Sequence, residues 1–269
     1  MGKLIFFDID GTIAMPGQPP GRDTVAAIRA ARANGHKVFL STGRLEASIP
    51  EHIRSIGFDG GIYSAGGRVV VNGRELLNRA MPAELVRRVT DTMREYKLFY
   101  MLENAGGTYV GAEDCSLSSV SSDLRRLMEK ELHILPYKQM PEHDLTYKIV
   151  FHAETIAQAE QLVKMLSTTA KVVYFSGLLP DMPVIPGEIS DWSINKGTAL
   201  DCICRCLKAN PEDCIAFGDS MNDMEILRAA GIGIAMGNAG ESVKELADQV
   251  CERCDEDGIA KALARLGLI

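Results

Sequence analysis

The chain has 269 residues, 46% of them hydrophobic and 24% charged, with a formal net charge of −7. The length predicts one large or two smaller domains, and the composition is that of an ordinary soluble globular protein. The negative balance speaks against a duplex nucleic-acid partner, whose affinity comes mainly from neutralised phosphates. No apolar run nears the roughly 20 residues of a membrane span and no signal-peptide pattern opens the chain, so a cytoplasmic protein without a membrane partner is expected.

The first predicted element is a strand, Leu4 to Phe7, which runs into Asp8-Ile9-Asp10 and breaks on Gly11-Thr12. A short apolar run bounded by glycine reads as a buried, parallel strand. Residues i and i+2 project the same way in an extended chain. Asp8 and Asp10 are therefore expected to crown the strand's carboxyl edge, where open α/β sheets keep their ligands. Two like charges so close raise each other's pKa unless a cation lies between them, and a hard divalent metal prefers such oxygen donors. Taken alone, the stretch also reads as a turn, Asp-Gly being a turn dipeptide, or as an acidic pair of a response-regulator sort.

A Pro/Gly-rich loop follows, then a helix with Asp23 as its expected N-cap and Asn34-Gly35 as its stop. Lys37 to Ser41 is a second strand, which makes a right-handed parallel βαβ unit. It ends in Thr42-Gly43-Arg44, where a hydroxyl, a flexible glycine and a guanidinium suit an oxyanion. A plain strand end with a solvated Arg44 fits the same letters. A helix over Glu46 to Ile56 and a strand over Gly61 to Ser64 come next. Ala65-Gly66-Gly67 then turns the chain into Arg68 to Val71, and Asn72-Gly73 predicts a hairpin.

From about Pro82 to Pro183 the pattern becomes α+β. It predicts helices at Ala83 to Tyr96, Ser122 to Glu131 and Thr155 to Leu166. It predicts strands at Leu98 to Glu103, Thr108 to Gly111, Tyr147 to His152 and Lys171 to Phe175. The gap from Arg44 to Lys196 is several times the about 30 residues of one βαβ crossover, so an inserted domain is expected. Ile194-Asn195-Lys196-Gly197 then opens a helix. Cys214 to Phe217 is a buried strand ending in Gly218-Asp219-Ser220-Met221-Asn222-Asp223. A helix from Met224 to Ala230, a strand from Gly233 to Met236, a helix from Glu241 to Ala247, a short strand near Val250 and a helix from Gly258 to Leu266 complete the alternation. That rhythm predicts an α/β fold with a doubly wound, mostly parallel sheet.

Seven cysteines, an odd number, do not form a secreted disulfide framework. Cys204 is expected to point away from Cys202 and Cys206 on its helix. Cys251-Glu-Arg-Cys254 has zinc or redox spacing but lacks a second pair, so buried or incidental thiols are expected. The five histidines are scattered, and none is expected to be a ligand.

Three strand ends (DIDGT, STGR and GDSMND) and one helix-start lysine converge on a single sheet edge. With NKG at 195, AMGNA at 235 and DEDGIA at 255, this order resembles the haloacid dehalogenase superfamily. More narrowly it resembles the Cof-type phosphatases with a type-IIB cap, and the matches run nearly the whole length of the core. The resemblance implies a Rossmann-like core at residues 1–81 and 184–269 and an α+β cap, shaping substrate specificity, at 82–183. It implies Asp8 as nucleophile through an aspartyl-phosphate and Asp10 as general acid and base. Thr42, Lys196 and backbone amides near Gly11 and Gly43 would hold the phosphoryl oxygens. Magnesium (Mg2+) would be bound by Asp8, the backbone carbonyl of Asp10 and Asp219, with Asp223 and Asn222 ordering its waters or Lys196. Arg44 is left between phosphoryl contact and loop tie, and Asn222 also fits an N-cap.

The implied partner is a small phosphorylated metabolite, sugar phosphates first, then pyridoxal phosphate or flavin mononucleotide. The chain itself would be a monomer or small homo-oligomer. Alternatives are a phosphomutase or phosphoglycoside phosphatase, or a non-catalytic phosphate-responsive module. One departure stands out: many members of this branch carry Asn-Gly where this chain has Ala65-Gly66, so no substrate contact is carried over there. Trp192 is left between pocket mouth and hinge packing. Cap residues such as Glu103, Asn104 and Glu113 carry no readable specificity code.

Overall fold

The strand β1 (Leu4–Phe7) is buried along its whole length, because parallel neighbours flank it on both sides and helices cover both of its faces. In the computed structural model, which describes residues 2–111, 134–141, 144–175 and 184–269, the chain divides into two units. Met1–Asn78 joins Asn195–Ile269 in one, and Arg79–Ile194 forms the other.

In chain order the larger unit contributes β1, β2 (Lys37–Ser41), β3 (Gly60–Tyr63), β4 (Arg68–Val71) and β5 (Arg74–Asn78). The smaller unit contributes β6 (Phe99–Asn104), β7 (Gly107–Val110), β8 (Ile134–Leu135), β9 (Thr146–Ala153), β10 (Lys171–Tyr174) and β11 (Ile185–Ser190). The chain then returns with β12 (Cys214–Gly218), β13 (Ile232–Ala235) and β14 (Gln249–Val250).

The larger sheet has the order β14-β13-β12-β1-β2-β3-β4-β5. It is parallel from β14 to β3 and closed by two antiparallel edge strands. Alternation sends Leu4 and Phe6 to one face, where Phe6 stacks on Phe39 at 5.1 Å under the helices Lys196–Leu207 and Met224–Ala229. Ile5 and Phe7 go to the other, where Phe7 stacks on Phe217 at 5.1 Å under Arg22–Ala33 and Gly258–Arg265. Helices on both faces make this the doubly wound α/β core expected. Each ring withdrawn from water contributes about 1.5–3 kcal/mol, so β1 delivers Asp8 from a fully buried part of the sheet.

Among the described residues the smaller sheet has the order β10-β11-β9-β6-β7-β8 and is antiparallel except at β7–β8. The helices Ala83–Glu95 and Ile156–Leu166 cover one of its faces through Val89, Met93, Ala159 and Leu162, packed on Tyr100, Ile149 and Phe151. On this sheet the buried Lys148 ammonium lies between Glu103, at 3.4 Å, and Glu188. Burial disfavours that charge, but the two carboxylates more than offset it and raise the lysine's pKa.

Several sequence expectations are corrected here. Residues 185–190 belong to the smaller sheet, because β11 pairs with β9 and β10, so the return to the larger unit comes at Asn195 and not at 184. Pro186 inside an interior strand hid it, since proline normally marks an edge. Helix Glu46 to Ile56 is two short pieces, Glu46–Ser48 and Glu51–Arg54. Pro50 divides them by removing an N–H and holding Ile49 extended. Asp23 lies in the first turn of its helix, whose N-cap is Gly21. The expected helix over Ser122 to Glu131, together with Glu113, Cys115, His133 and His143, lies outside the described residues.

Candidate active site

Asp8 sits immediately past β1 on the Phe6 side, 5% exposed, and its Oδ1 accepts a hydrogen bond from Lys196 Nζ at 3.0 Å. Lys196 is fully buried and also donates to Asp223 Oδ1 at 2.6 Å and Asn222 Oδ1 at 3.1 Å. Asn195 caps the helix that presents it, accepting from the Thr198 N–H at 2.9 Å, a cap worth about 1 kcal/mol. Gly197 lets that helix start press against its neighbour, since a Cβ there would lie 2.7 Å from the Glu225 carbonyl oxygen. A solvated helix-start lysine is thereby excluded. Burial alone would lower the pKa of Lys196, but Asp223 and Asp8 outweigh it and hold the ammonium above the ordinary lysine range.

Asp219 follows β12. Its Oδ1 accepts from Thr12 Oγ1 at 2.9 Å, and Gly11, at φ +83°, closes over it. A Cβ at Gly11 would come 2.3 Å from Asp219 Oδ2, so only glycine fits. Asp223, fully buried, accepts through Oδ2 from the N–H groups of Asp219 and Ser220, both at 3.1 Å. It therefore orients both Lys196 and the backbone that carries Asp219.

Burial raises the Asp8 pKa well above the carboxylate range. Lys196 pulls it down, and Asp223, Asp219 and Asp10 push it up in that order. Asp219 is raised to about 7, by burial first and then by Asp223, while the Thr12 hydrogen bond lowers it. One carboxylate oxygen from each of Asp8, Asp219 and Asp223 lies within 4.8 Å of the others. Three carboxylates face one ammonium in a desolvated niche made of oxygen donors. The charge excess and donor chemistry fit a hard divalent cation.

Asp10 raises the Asp8 pKa, as a like charge so close is expected to do. It is the last of the named influences on Asp8, and Arg44 clamps it with Nε on Oδ2 and Nη2 on Oδ1, both at 2.7 Å. Arg44 is thus tied to the acid–base candidate and is not simply solvated. Thr42 is buried; its Oγ1 accepts from the Arg44 N–H at 3.1 Å, which leaves the hydroxyl proton free to donate.

The amide expected at Gly11 is already used, donating to the Ala14 carbonyl at 2.7 Å. Gly11 serves instead by its close approach to Asp219. Among the described residues the N–H groups of Ile9, Asp10 and Gly43 make no such backbone bond and remain for an anion. Asn222 accepts from both Lys196 and Ser220 Oγ and is no N-cap; Ser220 and Asp223 fill those positions.

Sequence reasoning gave Asn238 no role. Its Nδ2 donates to the Gly11 carbonyl at 2.8 Å and its Oδ1 accepts from the Cys254 N–H at 3.0 Å, which pins the loop carrying Asp10. The AMGNA stretch was the available signal. Cys251 and Cys254 are buried, and burial pushes both thiols up to about 11, against the reactive thiolate that metal or redox work requires. Cys204 turns inward, its Sγ 3.3 Å from that of Cys214, while Cys206 is exposed. Trp192 is 56% exposed. No helix among the described residues is long and apolar enough to cross a membrane.

Comparison with known proteins agrees with this geometry. The family model of haloacid dehalogenase-like hydrolases matches residues 5–263. The chain is 27% identical to YkrA of Bacillus subtilis (strain 168) over 271 residues, covering 99% of this chain and 98% of that one. It is 25% identical to the phosphatase YwpJ of the same organism over 283 residues, covering 98% and 99%. Among solved structures, the haloalkanoate-superfamily phosphatase BT1666 from Bacteroides thetaiotaomicron superposes with a TM-score of 0.82 at 26% identity, covering 100% of this chain and 96% of that one. The subclass IIB sugar phosphatase BT4131 superposes with a TM-score of 0.81 at 25% identity, covering 99% and 100%. With a model matched over nearly its whole length and the aspartate–lysine site in place, the chain belongs to the haloacid dehalogenase-like hydrolase family, as a Cof-type phosphatase.

Proposed function

We propose that the protein is a magnesium-dependent phosphatase of small phosphorylated metabolites, with sugar phosphates as the first substrate class. The observation that carries this reading is the buried Lys196 joined at once to Asp8, Asn222 and Asp223. Asp8 is the nucleophile. Lys196 holds its Oδ1, so Oδ2, which takes no hydrogen bond among the described residues, attacks phosphorus in line and forms an aspartyl-phosphate. Asp10 gives a proton to the leaving oxygen, then takes one from the water that hydrolyses the intermediate. For this, one of the two Arg44 bonds to Asp10 opens.

The Thr42 hydroxyl, the Gly43 N–H and Lys196 hold the non-bridging oxygens, whose charge is spread in a metaphosphate-like transition state. Asp8, Asp219 and the backbone carbonyl of Asp10 would hold the magnesium ion, with Asp223 behind them; when bound it neutralises charge on the phosphoryl oxygens. The sugar phosphatase BT4131, similar over its whole length, supports the substrate class. The test is phosphate release from a panel of phosphorylated metabolites with magnesium, repeated with a chelator and with Asp8→Asn. Turnover that survives both would end this proposal.

A further inference from the structure

Past β3 the chain makes a turn in which three consecutive residues are left-handed: Ser64 at φ 51°, Ala65 at 55° and Gly66 at 112°. Glycine is at ease there, but serine and alanine are strained, and such strain persists only where the surroundings fix it. The fixing contacts are visible. The Ser64 N–H donates to the Arg44 carbonyl at 2.9 Å, and the Ala65 N–H donates to the Thr42 carbonyl at 3.0 Å. Gly66 rests on Asn195, where a Cβ would lie 2.3 Å from the carbonyl oxygen. One strained turn therefore grips the Thr42–Arg44 loop while seated on the residue that begins the Lys196 helix.

Peptide geometry gives this grip a consequence. In a trans peptide the C=O and the following N–H point to opposite sides, and no peptide bond here is cis. The Thr42 N–H bonds to Ile62 of β3 at 2.8 Å, and its carbonyl bonds to Ala65 just beyond β3. Both thus face the β3 side of β2. The Gly43 N–H, in the same peptide plane as the Thr42 carbonyl, faces the other side. There lies β1, whose end carries Asp8.

We propose that Ala65 is a positioning residue. Its left-handed N–H fixes the Thr42 carbonyl and so aims the Gly43 N–H at the oxygen of a phosphoryl group in flight to Asp8. This rests on the phosphatase reading above. It assigns the work at position 65 to the backbone, so an alanine side chain suffices there.

The test compares Ala65→Gly, which keeps the N–H and accepts the conformation, with Ala65→Val, whose β-branch is excluded from it. With p-nitrophenyl phosphate and magnesium, Ala65→Gly keeps the wild-type kcat and gains in Tm. Ala65→Val loses at least about tenfold in kcat and a similar factor in inhibition by vanadate, with half-saturating magnesium unchanged. A Val variant that is less stable but has wild-type kcat and vanadate inhibition overturns the proposal. Should it not fold, wild-type protein labelled with 15N-glycine decides: vanadate with magnesium moves the Gly43 amide resonance, and a resonance that stays put while vanadate inhibits overturns the idea. Wild-type protein that neither turns over the aryl phosphate nor is inhibited by vanadate sinks the phosphatase reading first, and this proposal with it.

Discussion

Replacing Lys196 with methionine keeps an unbranched chain of similar shape, one heavy atom shorter, and removes the ammonium. Asp8 and Asp223, bonded to it at 3.0 and 2.6 Å and both buried, then face each other without a counter-charge. Removing one partner of a buried ion pair costs about 3–5 kcal/mol. For a protein of this size, with about 2–4 °C of Tm per kcal/mol, the melting temperature drops by on the order of 10 °C at neutral pH. The deficit has a sign in pH: burial already raises the folded-state pKa of Asp8 and Lys196 is the influence that lowers it, so without the ammonium protonating Asp8 relieves the cost. Variant and wild type therefore converge in stability as the solution is acidified. Saturating magnesium narrows the gap at neutral pH, and so does adding Asp223→Asn. Activity falls by about 10²–10³-fold, the usual loss for one preorganised oxyanion donor. The assay is a melting curve by circular dichroism across pH, with and without magnesium. A Lys196→Met protein that melts within about 1 °C of wild type at neutral pH would refute the electrostatic account of the niche.

Other consequences follow from named contacts. His152 is nearly buried and burial lowers its pKa from 6.5 to about 4. The unfolded chain thus binds the proton more tightly, and stability declines as pH falls from about 6.5 to about 4, by about 3 kcal/mol in full. His152→Gln flattens that decline in urea titrations across pH; an unchanged slope argues against a neutral buried imidazole. Gly11→Ala places a methyl against Asp219 and weakens the apparent magnesium affinity by at least about tenfold (about 1.4 kcal/mol), read from a magnesium titration of activity. Arg44→Lys cannot reproduce the two-pronged grip on Asp10; kcat drops about tenfold or more with little change in Tm, because the pair is partly solvated.

The larger sheet was legible because its strands are uninterrupted apolar runs such as Leu4–Phe7 and Cys214–Phe217, each ending in a polar cluster. Period alone put Asp8, Thr42 and Asp219 at the ends of strands, and the structure adds that β12, β1 and β2 are neighbours in the sheet. What stayed hidden depended on partners distant in sequence. The strand at Ile185–Ser190 carries Pro186 and Gly187, whose local preferences argue against a strand that only pairing with β9 and β10 can impose. The grip of Arg44 on Asp10, across 34 positions, and of Asn238 on Gly11, across 227, are tertiary bonds that no periodicity announces. What Gly11 itself does was hidden for a related reason: its N–H finds Ala14 through a local turn, while the missing Cβ makes room for Asp219. The unusual backbone at Ser64-Ala65 left no mark either, since neither residue is a turn former of the left-handed kind.

The central claim is that Asp8 carries the phosphoryl group. Enzyme mixed with radiolabelled substrate and magnesium, quenched in acid during turnover, digested and examined by mass spectrometry, tests it most directly. The account predicts a single phosphorylated peptide, the one containing Asp8, labile in base and absent from Asp8→Asn. Label on any other residue, or undiminished phosphate release by Asp8→Asn, would contradict it.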